Sequence, residues 1–127
     1  MSPVSLNLVV IRSRDVESAV RFYSQLGLRF HRQQHDGGPE HYSTQIGGTV
    51  FEIYPLSRQG ASTIGVRLGF VVDSLSDVLN KMRDIGVNVI SQPEKREWGY
   101  SCLVEDCDGH KVEVTDATFE NTAIDFE

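Results

Sequence analysis

One pattern is written twice in this chain, and that duplication limits what it can fold into more than any other feature. Residues 6–12, LNLVVIR, are apolar and β-branched and read as a strand. The next stretch, SRDVESAVRFYSQLGL, offers Ser13 or Asp15 as a helix cap. It sets Val16, Ala19, Val20, Tyr23 and Leu26 at helical spacing, with Phe22 widening the stripe and Gly27 ending it. LRFHRQQH alternates as a strand, DGGP at 36–39 turns the chain, HYSTQI returns, and GG at 47–48 turns it again into TVFEIYP. After the polar segment LSRQGASTI the order recurs. VRLGFVV reads as a strand, and Asp73 or Ser74 caps a helix whose stripe is Leu75, Val78, Leu79, Met82 and Ile85, stopped by Gly86. VNVISQ reads as a strand, PEKREWG as a loop, and YSCLVE and KVEVTD as strands around the turn DCDG.

Asp15 maps to Asp73, Gly27 to Gly86, Gly48 to Gly109 and Glu52 to Glu113, at offsets of 58, 59, 61 and 61 residues. Drifts of this size are what loop insertions leave behind. A period near sixty is too long for a solenoid repeat and short for a full domain, so the two halves are expected to form one domain about a two-fold-like axis. The expected boundaries are residues 4–55 for the first strand–helix–three-strand module, 56–64 for a linker, 65–116 for the second module and 117–127 for a mobile tail or dimer arm. With 127 residues and 39% hydrophobic content, the chain has material for a real core.

Each module places a glutamate in the middle of an apolar strand. Strand side chains alternate faces, so Phe51 and Ile53 share one face while Val50, Glu52 and Tyr54 share the other. In the last strand Val112 and Val114 oppose Lys111, Glu113 and Thr115. The apolar pairs are expected against the helices, which turns both glutamates to the opposite face, where a duplicated fold can enclose a common cavity. The competing reading is a solvated sheet face. It is stronger for Glu113, beside Lys111 and Thr115, than for Glu52, beside Val50 and Tyr54.

A net charge of −6 and no Lys/Arg stripe argue against nucleic acid as a partner. Acidity suits a cationic ligand, though many proteins are acidic for solubility alone. No segment approaches the roughly 18 apolar residues of a membrane span, and the N-terminus has no basic, apolar leader pattern. Cys102 and Cys107 make neither a disulfide framework nor a C-x-x-C motif, so reduced thiols and a cytoplasmic location are expected.

The segments RDVESAVRFYSQLGLRF, VFEIYP, the helix entry at Asp73 and WGYSCLVEDCDGHKVEV, in that order and spacing, resemble the vicinal oxygen chelate superfamily over about residues 6–116. That superfamily includes glyoxalase I, the bleomycin resistance proteins and the extradiol dioxygenases. The resemblance implies an α+β fold, with tandem βαβββ modules forming a curled mixed sheet around a cavity, often completed by a second chain in a homodimer. Members that use a metal take ligands from the first strand, from the position of Glu52, from the fifth strand and from the position of Glu113. Here the first-strand position falls on Leu8 and the fifth-strand position on Arg67. Leu8 has no lone pair to give, and Arg67 is a permanent cation.

The resemblance therefore implies no metal and no cofactor. Arg67 is expected to pair with Glu52 and Glu113, since two carboxylates close together repel. EWGYSCLVEDCDGHKVE is similar to the bleomycin resistance type, whose members bind drug in clefts of a homodimer and sequester it without chemistry. The expected ligand-binding residues are Glu52, Arg67, Glu113, Tyr54, Trp98 and His31, with Trp98 offering a stacking face. A second reading is a lyase, isomerase or dioxygenase in which Glu52 and Glu113 hold one divalent metal ion. A third is a subunit with a vestigial cavity.

The histidines add little on pattern alone. His31 shares a face with Arg29 and Gln33, and lies about 13 Å from His35 on an extended strand, too far for one ion. His41 lies across the DGGP turn from His35, where a surface site is conceivable, and His110 is expected exposed in its turn. DCDG resembles the start of a calcium loop, but the position where a bidentate acid is needed is Ala117.

Overall fold

The computed structural model describes residues 3–118, which divide into two compact units, Met1–Thr63 and Ile64–Glu127. Of the segment read as a tail or dimer arm, all beyond Thr118 lies outside the described residues.

The first unit runs β1 (Leu8–Ser13), α1 (Val16–Ser24), β2 (His31–Gln33), β3 (His41–Ile46) and β4 (Thr49–Pro55). Its four-stranded sheet has the order β1-β4-β3-β2, with β1 parallel to β4 and the other pairs antiparallel. Of the two candidate caps for α1, Asp15 takes the role, accepting the Ser18 amide at 3.2 Å and the Ser18 hydroxyl at 2.7 Å. Those bonds hold the Asp15 carboxyl below the usual carboxylate range. Ala19, Phe22 and Tyr23 are buried, and the Tyr23 ring meets Phe51 edge-on at 5.1 Å, which fixes the helix-facing side of β4. Gly27, at φ 101, follows the helix end in a conformation that a Cβ would strain.

The β3–β4 turn sets everything on the opposite face. Ile46 pairs with Thr49 across two residues, and Gly47 takes φ 58, the pattern of a type II′ hairpin turn. That turn fixes Ser43 opposite Glu52 and Tyr42 opposite Ile53.

The second unit repeats the plan with β5 (Arg67–Val72), α2 (Leu75–Asp84), β6 (Asn88–Arg96), β7 (Gly99–Glu105) and β8 (Lys111–Asp116), in the sheet order β5-β8-β7-β6. Ser74, not Asp73, caps α2, and the helix start is tied to β8 by the Leu75 amide donating to Asp116 Oδ2 at 2.9 Å. Leu75, Val78, Leu79 and Met82 are buried, as are Cys102, Val104, Val112 and Val114.

Two strand limits depart from the sequence reading. PEKR, read as loop, belongs to β6, which continues to Arg96. Pro93 is tolerated because β6 is an edge strand and its register slips between Val89 and Ser91 and again between Ser91 and Glu94. Conversely β2 is cut to His31–Gln33, all exposed, because an edge strand pairing only with β3 gains too little to order the whole alternating run. Among the described residues, no helix is long and apolar enough to cross a membrane.

Both cysteines are thiols outside any disulfide. Burial pushes the Cys102 thiol up to about 11, against the pull of Arg83 and Arg96. A folded value above the ordinary 9.0 means that this stabilisation is full below that value and fades as pH rises through 9.0 toward about 11. At neutral pH a thiol reagent is expected to modify exposed Cys107 rapidly, and Cys102 only at the rate of unfolding. Equal rates of alkylation at the two sites, followed by peptide mass spectrometry, would contradict this packing.

Candidate functional site

In the first unit the face away from α1 carries one row across three strands: His31 on β2, Ser43 on β3 and Glu52 on β4. Leu8 and Val10 extend the same face on β1. One residue beyond the Tyr42–Ile53 pair, His41 lies opposite Tyr54, and the two rings stack at 4.0 Å with 8° between their planes. His41 is 1% exposed. Its Nδ1 is 3.2 Å from the Pro39 carbonyl and its Nε2 is 3.7 Å from Glu52 Oε2. The conceivable surface site between His35 and His41 is thereby corrected: the rings are 5.1 Å apart, but His41, the first residue of β3, is buried against Tyr54 while His35 is exposed.

In the second unit Arg67 and Glu113 share the face away from α2, with Arg67 Nη2 3.9 Å from Glu113 Oε2. Gly69 is the direct neighbour of Glu113 on β5, and a Cβ there would meet nothing within 4 Å, so the space beside the carboxylate is open. Trp98 sits in the β6–β7 turn, 52% exposed, and is not packed into the core. The Arg96 guanidinium lies 5.9 Å from its ring centroid, held there by Ser91 Oγ at 2.7 Å and Glu94 Oε1 at 2.9 Å.

The two units match in one further detail. The register that sets His41 against Tyr54 sets Ser101 against Thr115. His41 Nε2 and Ser101 Oγ are the only buried side-chain polar atoms without a hydrogen-bond partner among the described residues. A buried polar atom left unpaired costs free energy, and these two stand at equivalent positions of the two sheets.

The β7–β8 turn overturns the expectation of an exposed His110, which is fully buried. Asp106 Oδ1 accepts the amides of Asp108, Gly109 and His110 at 2.9, 3.0 and 2.9 Å, and Asp106 Oδ2 faces His110 Nδ1 at 2.9 Å. The carboxylate draws the loop around itself and pulls the imidazole in. Asp106, Asp108 and His110 bring possible metal-ligating atoms within 4.8 Å of one another. Four close hydrogen bonds already occupy Asp106, and the arrangement is explained as a clamp on the turn that orients Glu113.

The sequence profile of the Glyoxalase/Bleomycin resistance protein/Dioxygenase superfamily matches residues 5–114. The chain belongs to this superfamily. Solved structures agree on the fold. The oxidase ChaP-H2 is similar with a TM-score of 0.74 and 22% identity, over 94% of this chain and 98% of that one. A hypothetical protein from S. aureus has a TM-score of 0.71 and 22% identity, over 92% and 95%. TnmS3, an antibiotic binding protein from a Streptomyces species, has a TM-score of 0.72 and 19% identity, over 91% and 98%. No curated protein matches the chain in sequence.

Within this glyoxalase-type fold, the residues present do not fit the metal that some members carry. Of the four positions at which the resemblance places ligands, Leu8 has no donor atom and Arg67 brings a guanidinium toward Glu113. Of the expected cluster of Glu52, Arg67 and Glu113, Arg67 and Glu113 lie in one unit, with their nearest charged atoms 3.9 Å apart. Sequence reasoning missed His41 as the neighbour of Glu52. The signal was available: a two-residue turn at Gly47 and Gly48 fixes the pairing, and counting back from it sets His41 against Tyr54.

Proposed function

We propose that this chain binds and sequesters a small molecule without a metal, in a cleft of a homodimer. The ligand-facing surfaces are the sheet face of the first unit bearing His31, Glu52 and Tyr54, and that of the second bearing Arg67 and Glu113, with Trp98 at its turn. The observation that carries the reading is Arg67, a fixed cation 3.9 Å from one of the two glutamates that a metal would need. A guanidinium there neutralises the carboxylate and repels a divalent ion. The open space beside Glu113 at Gly69, and the likeness of the fold to an antibiotic binding protein, support a binding role.

Protein purified without chelator is expected to carry far less than one equivalent of nickel, zinc or manganese and to bind none of them tightly. Arg67→His, which exchanges the cation for a ligand, is expected to raise metal affinity. A bound small molecule is expected to be released chemically unchanged on denaturation. Stoichiometric, tight metal binding by the unmodified chain would overturn the reading in favour of a divalent-metal lyase, isomerase or dioxygenase using Glu52 and Glu113.

A further inference from the structure

The contact between His41 and Glu52 is unusual in what it lacks. The Pro39 carbonyl can only accept, so the proton of a neutral His41 ring sits on Nδ1, 3.2 Å from that oxygen. Nε2 then presents a lone pair. It points toward the Glu52 carboxylate, itself an acceptor, at 3.7 Å, beyond hydrogen-bonding reach. With the ring neutral, two acceptors face each other with no donor between them. Among the described residues Nε2 has no hydrogen-bond partner, and the ring cannot turn away without leaving both the Pro39 carbonyl and the face of Tyr54. Glu52 is 15% exposed, so solvent reaches its side chain, while Nε2 lies buried behind it.

We infer that His41 Nε2 and Glu52 together form a subsite for a protonated primary or secondary amine. An ammonium group brings the positive charge that Glu52 lacks and at least two N–H donors, one for each acceptor, and the Tyr54–His41 stack supplies an aromatic wall beside it. A fixed cation on this face, Arg12 on β1, is drawn off toward the Ala61 carbonyl, to which Nη1 donates at 3.3 Å. A divalent ion fits less well. Among the described residues, the only cluster of three metal-ligating side chains is the turn of Asp106, Asp108 and His110, so an ion here would have His41 and Glu52 alone. The inference rests on the small-molecule reading above and specifies the ligand chemistry of its first-unit surface.

The test uses the full chain at about pH 8.5, above the ordinary imidazole range. Three probes share one ring and differ in the head group: benzylamine, benzyl alcohol and benzyltrimethylammonium. The readout is the His41 ring-nitrogen resonance, assigned by its absence in His41→Phe, which retains an aromatic ring against Tyr54. Benzylamine is expected to shift Nε2, and Glu52→Gln to weaken its binding about tenfold or more, with a thermal melt confirming that each variant is folded. Benzyl alcohol and the quaternary cation, which has charge but no N–H, are expected to leave Nε2 unmoved. Equal binding of the quaternary cation, a shift produced by zinc alone at micromolar concentration, or no shift with benzylamine would each overturn the inference. Binding of benzyl alcohol in place of benzylamine would overturn it too, while leaving the small-molecule reading intact.

Discussion

Asp106→Ala is expected to lower the stability of the fold by about 3–5 kcal/mol, the range for removing one partner of a buried charged or polar pair. The carboxylate is buried and accepts three consecutive backbone amides, and its other oxygen is the partner of a buried imidazole. Without it, those amides and His110 lose the acceptor that drew them inward, and an orphaned buried donor is costly. Asp106→Asn separates shape from charge. Its amide oxygen can accept the same three N–H groups while its NH2 meets the other tautomer of His110, so a smaller loss of about 1–2 kcal/mol is expected. Urea denaturation midpoints compare the three proteins. A loss under about 1 kcal/mol for the alanine variant would mean that the turn holds itself without its clamp. The consequence for function runs through register, because this turn sets Leu103 opposite Glu113 and so decides which way that glutamate faces.

How much of this was legible in the sequence depended on whether the signal was local. The duplication, the two helices and the facing of Glu52 and Glu113 followed from periodicity, and periodicity survives folding because burial imposed it. Phe51 and Ile53 are buried while Glu52 between them is not, as alternation requires. Pro93 was misleading for a physical reason: it breaks a central strand but not a bulged edge, and edge position belongs to topology, which no local window contains. His110 misled in the same way. A histidine in a glycine turn reads as solvated unless an acid four residues earlier reaches back for it, and Asp106 does so. Arg67 was identified by resemblance and found beside Glu113, whereas His41 required counting the register across the Gly47–Gly48 turn.

Phe51→Ala and Glu52→Gln change adjacent residues and are expected to do opposite things. Phe51 is 2% exposed, with Tyr23 edge-on at 5.1 Å and Phe30 at 6.2 Å, so its truncation leaves a cavity under α1 and costs about 3–5 kcal/mol. The loss is expected in the upper part of that range because the aromatic contacts go with the buried area. Glu52→Gln keeps the side-chain volume on the other face and removes a charge that stands 3.7 Å from His41 Nε2, beyond hydrogen-bonding reach, so stability is expected to move by no more than about 1 kcal/mol. Ligand binding separates them in the reverse order. The folded fraction of Phe51→Ala is expected to bind benzylamine with nearly unchanged affinity, whereas Glu52→Gln, fully folded, is expected to bind it weakly. Thermal melts and amine titrations on both variants make the comparison. A Glu52→Gln variant that unfolds as readily as Phe51→Ala would place the glutamate in the packing of the sheet, and the face away from α1 would then lose its claim to be a binding surface.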